Sequence, residues 1–279
     1  MSSRRPAWHW QQVWWPSRFD PDLGLELLDR IAADHNLGPI VFEARSHNAM
    51  ISYYVGAHHA HVRKVSSLLS SLIPNGRFSD PKQGARGPVK FAGHLMASHS
   101  TLALNVDRVT AVTRAVLAGL ATTNGAKEDL VLQVIIGGRL APRFVSPDVS
   151  QPTDTWFDLA WRGTRQANAE TRASMKTRAS LHGAKVTIRI GANADSAGRI
   201  QNLISQTLGG LRVAQAAGVR ITFTRESAAH VNRASIPWRY PLAMSSKELV
   251  ALMGWPLDKS GDAQLPGQPA KHPQLLTPK

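Results

Sequence analysis

The sequence contains no cysteine, which excludes a disulfide framework and any chemistry that uses a thiolate. It also lacks an apolar run of the roughly 20 residues that a membrane-spanning helix needs. The N-terminus lacks the apolar core of a secretory signal peptide. These absences are typical of a protein that folds in a reducing compartment. We therefore expect a cytoplasmic protein, either free or at the inner face of the membrane.

Catalytic motifs are missing as well. The phosphate-loop pattern GxxxxGK[ST] is matched neither by residues 84–90 nor by residues 191–199, although the second segment joins a predicted strand to a predicted helix. Without the lysine and the hydroxyl of that motif, nucleotide hydrolysis has no visible site. No GxSxG or HExxH motif occurs. We therefore predict a protein that is not an enzyme and has neither catalytic residues nor a cofactor.

A histidine cluster is the one feature that suggests a metal site. His58, His59 and His61 lie at a predicted helix start, with His47 shortly before them. No carboxylate stands at ligand spacing, so a solvated helix start explains the cluster without a metal ion. We predict no metal site.

Acidic residues are scarce relative to basic ones. The 279 residues include 33 Lys and Arg but only 19 Asp and Glu, which gives a net charge of +14. Such a charge favours contact with nucleic acid or with an anionic membrane surface. The alternative is the basic composition common in Arg-rich and Ala-rich chains of high-GC genomes. The length allows one large domain or two ordinary ones.

The best-defined pattern lies between His182 and Glu226. Apolar residues alternate over residues 186–190, recur at helical spacing over residues 200–211, and alternate again over residues 219–223. Similar strand and helix patterns lie between Ile40 and Ile136, including a hairpin with a turn at residues 45–48. We predict an α+β fold built from ferredoxin-like βαβ units, duplicated, with antiparallel or mixed sheets. A parallel doubly wound sheet is the alternative.

These patterns divide the chain into five parts. We expect a Trp-rich basic arm and first helix at 1–38, a first α/β unit at 39–145, a connector and basic helix at 146–180, a second α/β unit at 181–242, and a short helix with a Pro/Gly-rich tail at 243–279. The short helix carries a capping box formed by Ser245 and Glu248.

The predicted arm contains four of the eight tryptophans, flanked by arginines. These four are Trp8, Trp10, Trp14 and Trp15. Three interpretations remain open: the rings pack onto the domain, they lie in a membrane interface, or they stack on single-stranded bases.

A basic loop and a basic helix are the candidate nucleic-acid contacts. The candidate residues are Arg77, Lys82, Arg86, Arg162, Arg165, Arg172, Lys176 and Arg178. Arg165, Arg172 and Lys176 are spaced seven and four residues apart, so they share one helix face that could meet phosphates. A solvated helix face is the alternative.

Three segments carry a resemblance to a known family. They are residues 172–190 (RASMKTRASLHGAKVTIRI), residues 222–225 (TFTR), and the closing segment, residues 241–267, with PLAMSSKELVAL, GWPL and LPG. Their order resembles the region that precedes the motor domain in actinobacterial conjugation ATPases, of the type IV secretion and DNA-translocase group. The resemblance extends from about Trp14 to Pro266. In that family the closing segment follows the pattern L-S-x-E-L-x-x-L-x-x-x-P, and Met244 replaces the leading Leu here.

The resemblance implies a role without implying the family's ATPase activity. The sequence ends at Lys279, where such a protein would begin its phosphate-loop domain, so the family's motor residues have no counterpart in it. The chain is then the accessory half of a split system, a fragment of a longer protein, or a protein that has lost the motor. What the resemblance implies is an accessory domain that partners a separately encoded P-loop motor ATPase or secretion-channel proteins, with contact to DNA. We also expect an oligomer and peripheral membrane contact through the N-terminal arm. The alternative is a free-standing nucleic-acid-binding protein that uses its basic surface.

Overall fold

A computed structural model describes residues 8–98, 102–145, 167–261 and 264–269. Within these residues the chain forms nine strands and seven helices. In chain order they are β1 (Trp8–Trp14), α1 (Pro21–Ala33), β2 (Ile40–His47), β3 (Met50–His58), α2 (Val62–Leu72), β4 (Arg77–Ser79), β5 (Phe91–Ala97), α3 (Val109–Leu120), β6 (Asp129–Leu140), α4 (Ala169–Ala179), β7 (Gly183–Asn193), α5 (Ala197–Arg212), β8 (Ile221–Glu226), α6 (Ala228–Asn232), β9 (Leu242–Ser245) and α7 (Ser246–Leu252). None of the described helices is long and apolar enough to cross a membrane.

The strands form a single sheet in the order β4-β1-β3-β2-β6-β7-β5-β8, and β9 pairs with β7. Every strand pair among the described residues is antiparallel. The prediction of an α+β fold with antiparallel strands is therefore confirmed. The alternative of a parallel doubly wound sheet is wrong.

The two halves of the sheet have the same strand order. Strands β1 to β4 are connected as β-α-β-β-α-β, and strands β5 to β8 follow the same connection with the additional helix α4 between β6 and β7. Each half places its strands in the spatial order fourth, first, third, second. The strands on either side of α5 accordingly do not pair with each other, because β5 lies between β7 and β8. The halves meet where β2 pairs with β6.

Local sequence explains where several elements begin and turn. The Asp20 side chain accepts a hydrogen bond from the backbone N–H of Asp22 at the start of α1. The predicted capping box is present at α7, between Ser245 and Glu248. The predicted β2–β3 hairpin is also present, but β2 continues to His47, so the turn consists of Asn48 and Ala49 with φ of 48° and 60°. Two positive φ values suit the twist of a tight hairpin.

The division of the chain differs from the predicted one in two places. The Trp-rich segment is strand β1, which lies inside the sheet between β3 and β4 instead of forming an arm. The second half begins at Phe91, within the predicted 39–145 unit, because β5 and β6 pair with β7. Most of the predicted connector lies outside the described residues, and residues 169–179 form the predicted basic helix.

The closing segment packs against both halves. Its strand β9 pairs with β7, and its helix α7 contacts α1 and α3. Trp255 is buried, with its ring centroid 5.1 Å from that of Trp15, 5.8 Å from that of Phe19 and 5.2 Å from that of Phe42. The preceding Gly254 has φ of +66°, and a Cβ there would lie 2.9 Å from Leu132. An aromatic cluster thus joins the connection between β1 and α1 to β2 and to the closing segment.

Replacing Trp255 with alanine should destabilise the fold strongly. Loss of a buried aromatic ring leaves a cavity and costs about 3–5 kcal/mol of the free energy of unfolding. Urea denaturation followed by circular dichroism would measure this cost. As a control, Trp238→Ala removes a side chain that is 98% exposed, and it should change the free energy of unfolding by less than about 0.5 kcal/mol. Equal midpoints for the two variants would contradict the assigned role of Trp255.

Candidate functional site

The face of the sheet opposite the main helix layer is covered by two irregular segments. We call residues 227–241 the strap and residues 80–90 the basic loop. Side chains of β2 alternate between the two faces: Ile40 and Phe42 belong to the main core, whereas Val41 packs with Ala234 of the strap. The second face therefore has its own small apolar clusters, and charged side chains lie between them.

A row of polar residues crosses this face at one level of the sheet. Directly opposed strand positions pair Tyr54 with Glu43, Glu43 with Gln133, Gln133 with Arg189, and Arg189 with His94. Neighbouring strands thus contribute one residue each. We call this row the polar ladder. It crosses the β2–β6 pair that joins the halves.

Glu43 is the central anion of the ladder and is 2% exposed. Its carboxylate accepts hydrogen bonds from Arg45 Nε at 2.7 Å, from Arg86 Nε at 2.8 Å and Nη2 at 2.7 Å, and from Gln133 Nε2 at 2.8 Å. Burial alone would raise the pKa of Glu43, but the charges and hydrogen bonds of Arg45 and Arg86 lower it to about 2. The carboxylate is therefore ionised near neutral pH.

Arg189 is the matching cation in the second half. It donates to Glu226 Oε1 at 2.7 Å, to Gln133 Oε1 at 3.1 Å and to the Ser235 carbonyl oxygen at 2.8 Å. Gln133 thereby accepts from Arg189 while donating to Glu43, and it also donates to the Val231 carbonyl oxygen at 2.9 Å. One carboxamide connects the charged groups of the two halves.

The same groups fix the strap and the basic loop on the sheet. Arg45 Nη1 donates to the Gly87 carbonyl oxygen at 2.7 Å. Val89 and Asn232 exchange hydrogen bonds of 2.9 Å and 3.0 Å, which join the basic loop to the strap. Glu43 and Glu226 are both paired with arginines, and Glu226 also lies 3.1 Å from His230 Nδ1. The ladder thus holds the strap and the basic loop against the sheet.

Three of the four N-terminal tryptophans contact this face or the core. Trp10 lies beneath Arg86, whose guanidinium carbon is 3.4 Å from the ring centroid. Trp8 Nε1 donates to the Ala234 carbonyl oxygen at 3.1 Å, and Trp15 stacks on Phe19 with centroids 4.6 Å apart. These contacts agree with the interpretation in which the rings pack onto the domain. Trp14, at 52% exposed, keeps the most accessible ring of the four.

The predicted nucleic-acid residues separate into three groups. Two serve the fold: Arg86 pairs with Glu43, and Arg178 lies 3.2 Å from Glu248 and donates to the Leu102 carbonyl oxygen. Four are exposed, namely Arg77, Lys82, Arg172 and Lys176. Arg162 and Arg165 lie outside the described residues. The predicted stripe is therefore represented by Arg172 and Lys176, one turn apart on α4.

A cleft of about 390 Å³ lies between the end of β1, the start of β3 and the closing segment. Its lining includes Trp14, Met50 and Leu265 and, over the described residues, no carboxylate, imidazole or amine. Tyr53 accepts a hydrogen bond from Gln268 at 2.8 Å, and burial raises its pKa. The cleft thus offers a mostly apolar surface without an obvious acid or base. No group of three potential metal ligands is arranged to hold an ion among the residues searched.

The polar ladder corresponds to a pattern in the sequence that matches none of the catalytic motifs considered above. Glu43, Gln133 and Arg189 each interrupt an otherwise apolar strand, in IVFEA, LVLQVII and VTIRI. A charged or amide side chain in the middle of a buried strand requires a buried partner. Three such positions in separate strands predict that their side chains meet.

Comparison of the chain with protein-family models, with curated proteins and with solved structures finds no match. The segments that resemble the conjugation ATPases form most of α4, β7 and β8, together with the closing segment.

The Glu43→Gln substitution should destabilise the fold in a pH-dependent way. A carboxylate whose pKa falls from 4.5 to about 2 on folding stabilises the native state above pH 4.5, and this contribution is lost as the pH falls toward 2. Because the variant leaves two arginines without their buried anion, we expect a loss of about 3 kcal/mol at pH 7. The difference from the wild type should shrink between pH 5 and pH 2.

Urea denaturation at a series of pH values would measure this difference. Glu26→Gln is the matched control, because Glu26 is exposed on α1 and the charge change is the same. A Glu43→Gln deficit that is equally large at pH 7 and pH 3 would show that the charge of Glu43 is not the stabilising feature.

Proposed function

We propose that the chain is a non-catalytic accessory or assembly domain of a conjugative DNA-transfer, type IV secretion-like ATPase system. The observation that carries this proposal is the placement of the closing segment, one of the three segments that carry the resemblance to the family. It is an integral part of the core, and it contacts both halves of the sheet.

The contacts of the closing segment fix it at several points along its length. Glu248 accepts from the backbone N–H of Leu104 at 2.9 Å and from that of Ser245 at 2.8 Å. Further along, the backbone N–H of Asp258 donates to the Phe19 carbonyl oxygen at 2.8 Å. A segment fixed in this way has one orientation relative to the sheet, which is what a domain that positions a motor requires.

We also infer that the halves are duplicated ferredoxin-like units. The identical spatial order of the strands in β1–β4 and β5–β8 supports this inference, and the second half differs by the additional helix α4 between β6 and β7. Two such units joined edge to edge through β2 and β6 give a wide, rigid platform. A platform of this kind suits an assembly role, since its partners can engage separate surfaces.

The accessory role predicts a stable complex with a motor protein. Affinity purification of the tagged chain from its native host should recover a P-loop ATPase, and nuclease treatment should leave that ATPase bound because the contact is between proteins. Quantitative mass spectrometry of nuclease-treated and untreated samples measures both outcomes. Loss of every ATPase after nuclease treatment, or recovery of none, would count against the proposal.

The excess of exposed basic side chains favours a second candidate, a free-standing nucleic-acid-binding protein. Arg172 and Lys176 are exposed on one turn of α4, whose described residues include no buried side chain. If both contact phosphates, the double variant Arg172→Glu, Lys176→Glu should lower the slope of log affinity against log salt by about two. Fluorescence anisotropy with a labelled oligonucleotide would measure this slope.

A control with the same change of net charge is Arg63→Glu, Arg114→Glu, at exposed positions of α2 and α3. This control should leave the slope unchanged if α4 is the contact. Equal slopes for all three proteins would remove α4 from the nucleic-acid interface.

A further inference from the structure

The strap presents one aromatic ring to solvent. Trp238 is 98% exposed, in contrast to Trp8, Trp10 and Trp255, which contact the domain. Its neighbour Ile236 is also exposed. A fully exposed tryptophan contributes nothing to the packing of the fold, and a ring of this size commonly marks a binding surface.

Both ends of the Trp238 loop are fixed to the sheet. Before the loop, the Ser235 carbonyl oxygen accepts from Arg189 at 2.8 Å. After the loop, Tyr240 lies so close to Gly137 of β6 that a Cβ there would be 2.1 Å from its ring, so only glycine leaves room for it. Pro237 restricts the backbone between these points. The ring is therefore presented on a short loop with little freedom to lose on binding.

The surroundings of Trp238 are basic. Arg239 follows it directly, and Arg233 lies earlier in the strap, with both side chains exposed. Lys90 is also exposed and follows Val89, whose backbone is bonded to Asn232. The carboxylate of the strap region, Glu226, is already paired with Arg189. An exposed aromatic ring with exposed arginines one and five residues away in the strap suits a base and its flanking phosphates.

We propose that Trp238 is a stacking platform for single-stranded nucleic acid, with Arg233 and Arg239 contacting the flanking phosphates. Stacking is available from every base, so this contact would be tolerant of sequence. A membrane surface fits less well, since a single ring and one isoleucine supply little apolar area for insertion. A tryptophan beside arginines would also suit a protein interface, but the net charge of +14 favours a polyanion as the partner.

This proposal does not depend on the motor partner, because the purified chain contains every residue that it uses. It can therefore fail while the accessory role stands, or hold while that role fails. It also differs from the α4 contact, since the strap and α4 use separate residues.

Binding of a labelled 20-nucleotide oligothymidylate to the purified full chain, measured by fluorescence anisotropy, tests the platform. Trp238→Ala should weaken binding about 5- to 150-fold, the range expected for loss of one stacked base. Trp238→Phe keeps an aromatic face and should lose less. Val213→Ala is the control, since Val213 is also an exposed apolar side chain but lies at the end of α5, outside the strap. That control should bind like the wild type.

The salt dependence tests the two arginines separately. Arg233→Ala and Arg239→Ala should each lower the slope of log affinity against log salt by about one. Unchanged urea midpoints for all strap variants would show that the effects come from the surface and not from unfolding.

Three results would overturn the proposal. The first is oligonucleotide binding by Trp238→Ala that equals wild-type binding. The second is no detectable oligothymidylate binding by the wild type at low salt. The third is binding to phosphatidylglycerol vesicles that Trp238→Ala abolishes while oligonucleotide binding remains, which would assign the ring to a lipid surface.

Discussion

The buried carboxylate of Glu43 is the constraint on which the second face of the sheet depends. It lies on β2, directly opposite Gln133 of β6, at the one strand pair that joins the two halves. Arginines from β2 and from the basic loop neutralise it. Buried ion pairs of this kind often add little net stability compared with apolar residues of similar size, but removal of one partner is costly. The ladder therefore contributes more to selecting one pairing of the strands than to the free energy of unfolding.

Register is the property that such a ladder can specify. A shift of β2 against β6 by one residue would move Glu43 to the apolar core and separate it from its donors. With Gln133 and Arg189 at the same level, strands β2, β6 and β7 are held in one alignment.

The sequence predicts the elements well and their arrangement less well. Periodicity is a local property, so the strands around Ile40, Leu130 and Val186 and the helices between them could be predicted. Strand order depends on contacts between distant residues, so the placement of β5 between β7 and β8 could not. The segment WHWQQVW has the alternation of a strand, but its tryptophans and flanking arginines favoured an arm. Arg86, which contacts the ring of Trp10, is more than seventy residues away in the sequence, so no local pattern predicts the contact.

The candidate binding surfaces are the places where basic side chains remain exposed and are not paired inside the fold. The positive charge follows from composition, since 33 Lys and Arg stand against 19 Asp and Glu. Three of these arginines are paired with Glu43 and Glu226. Other cations are exposed on α4, on the basic loop and on the strap. The buried pairs have a separate effect, since Arg189 and Gln133 bind carbonyl oxygens of the strap and hold it on the sheet. The exposed cations support the proposed contact with a polyanion.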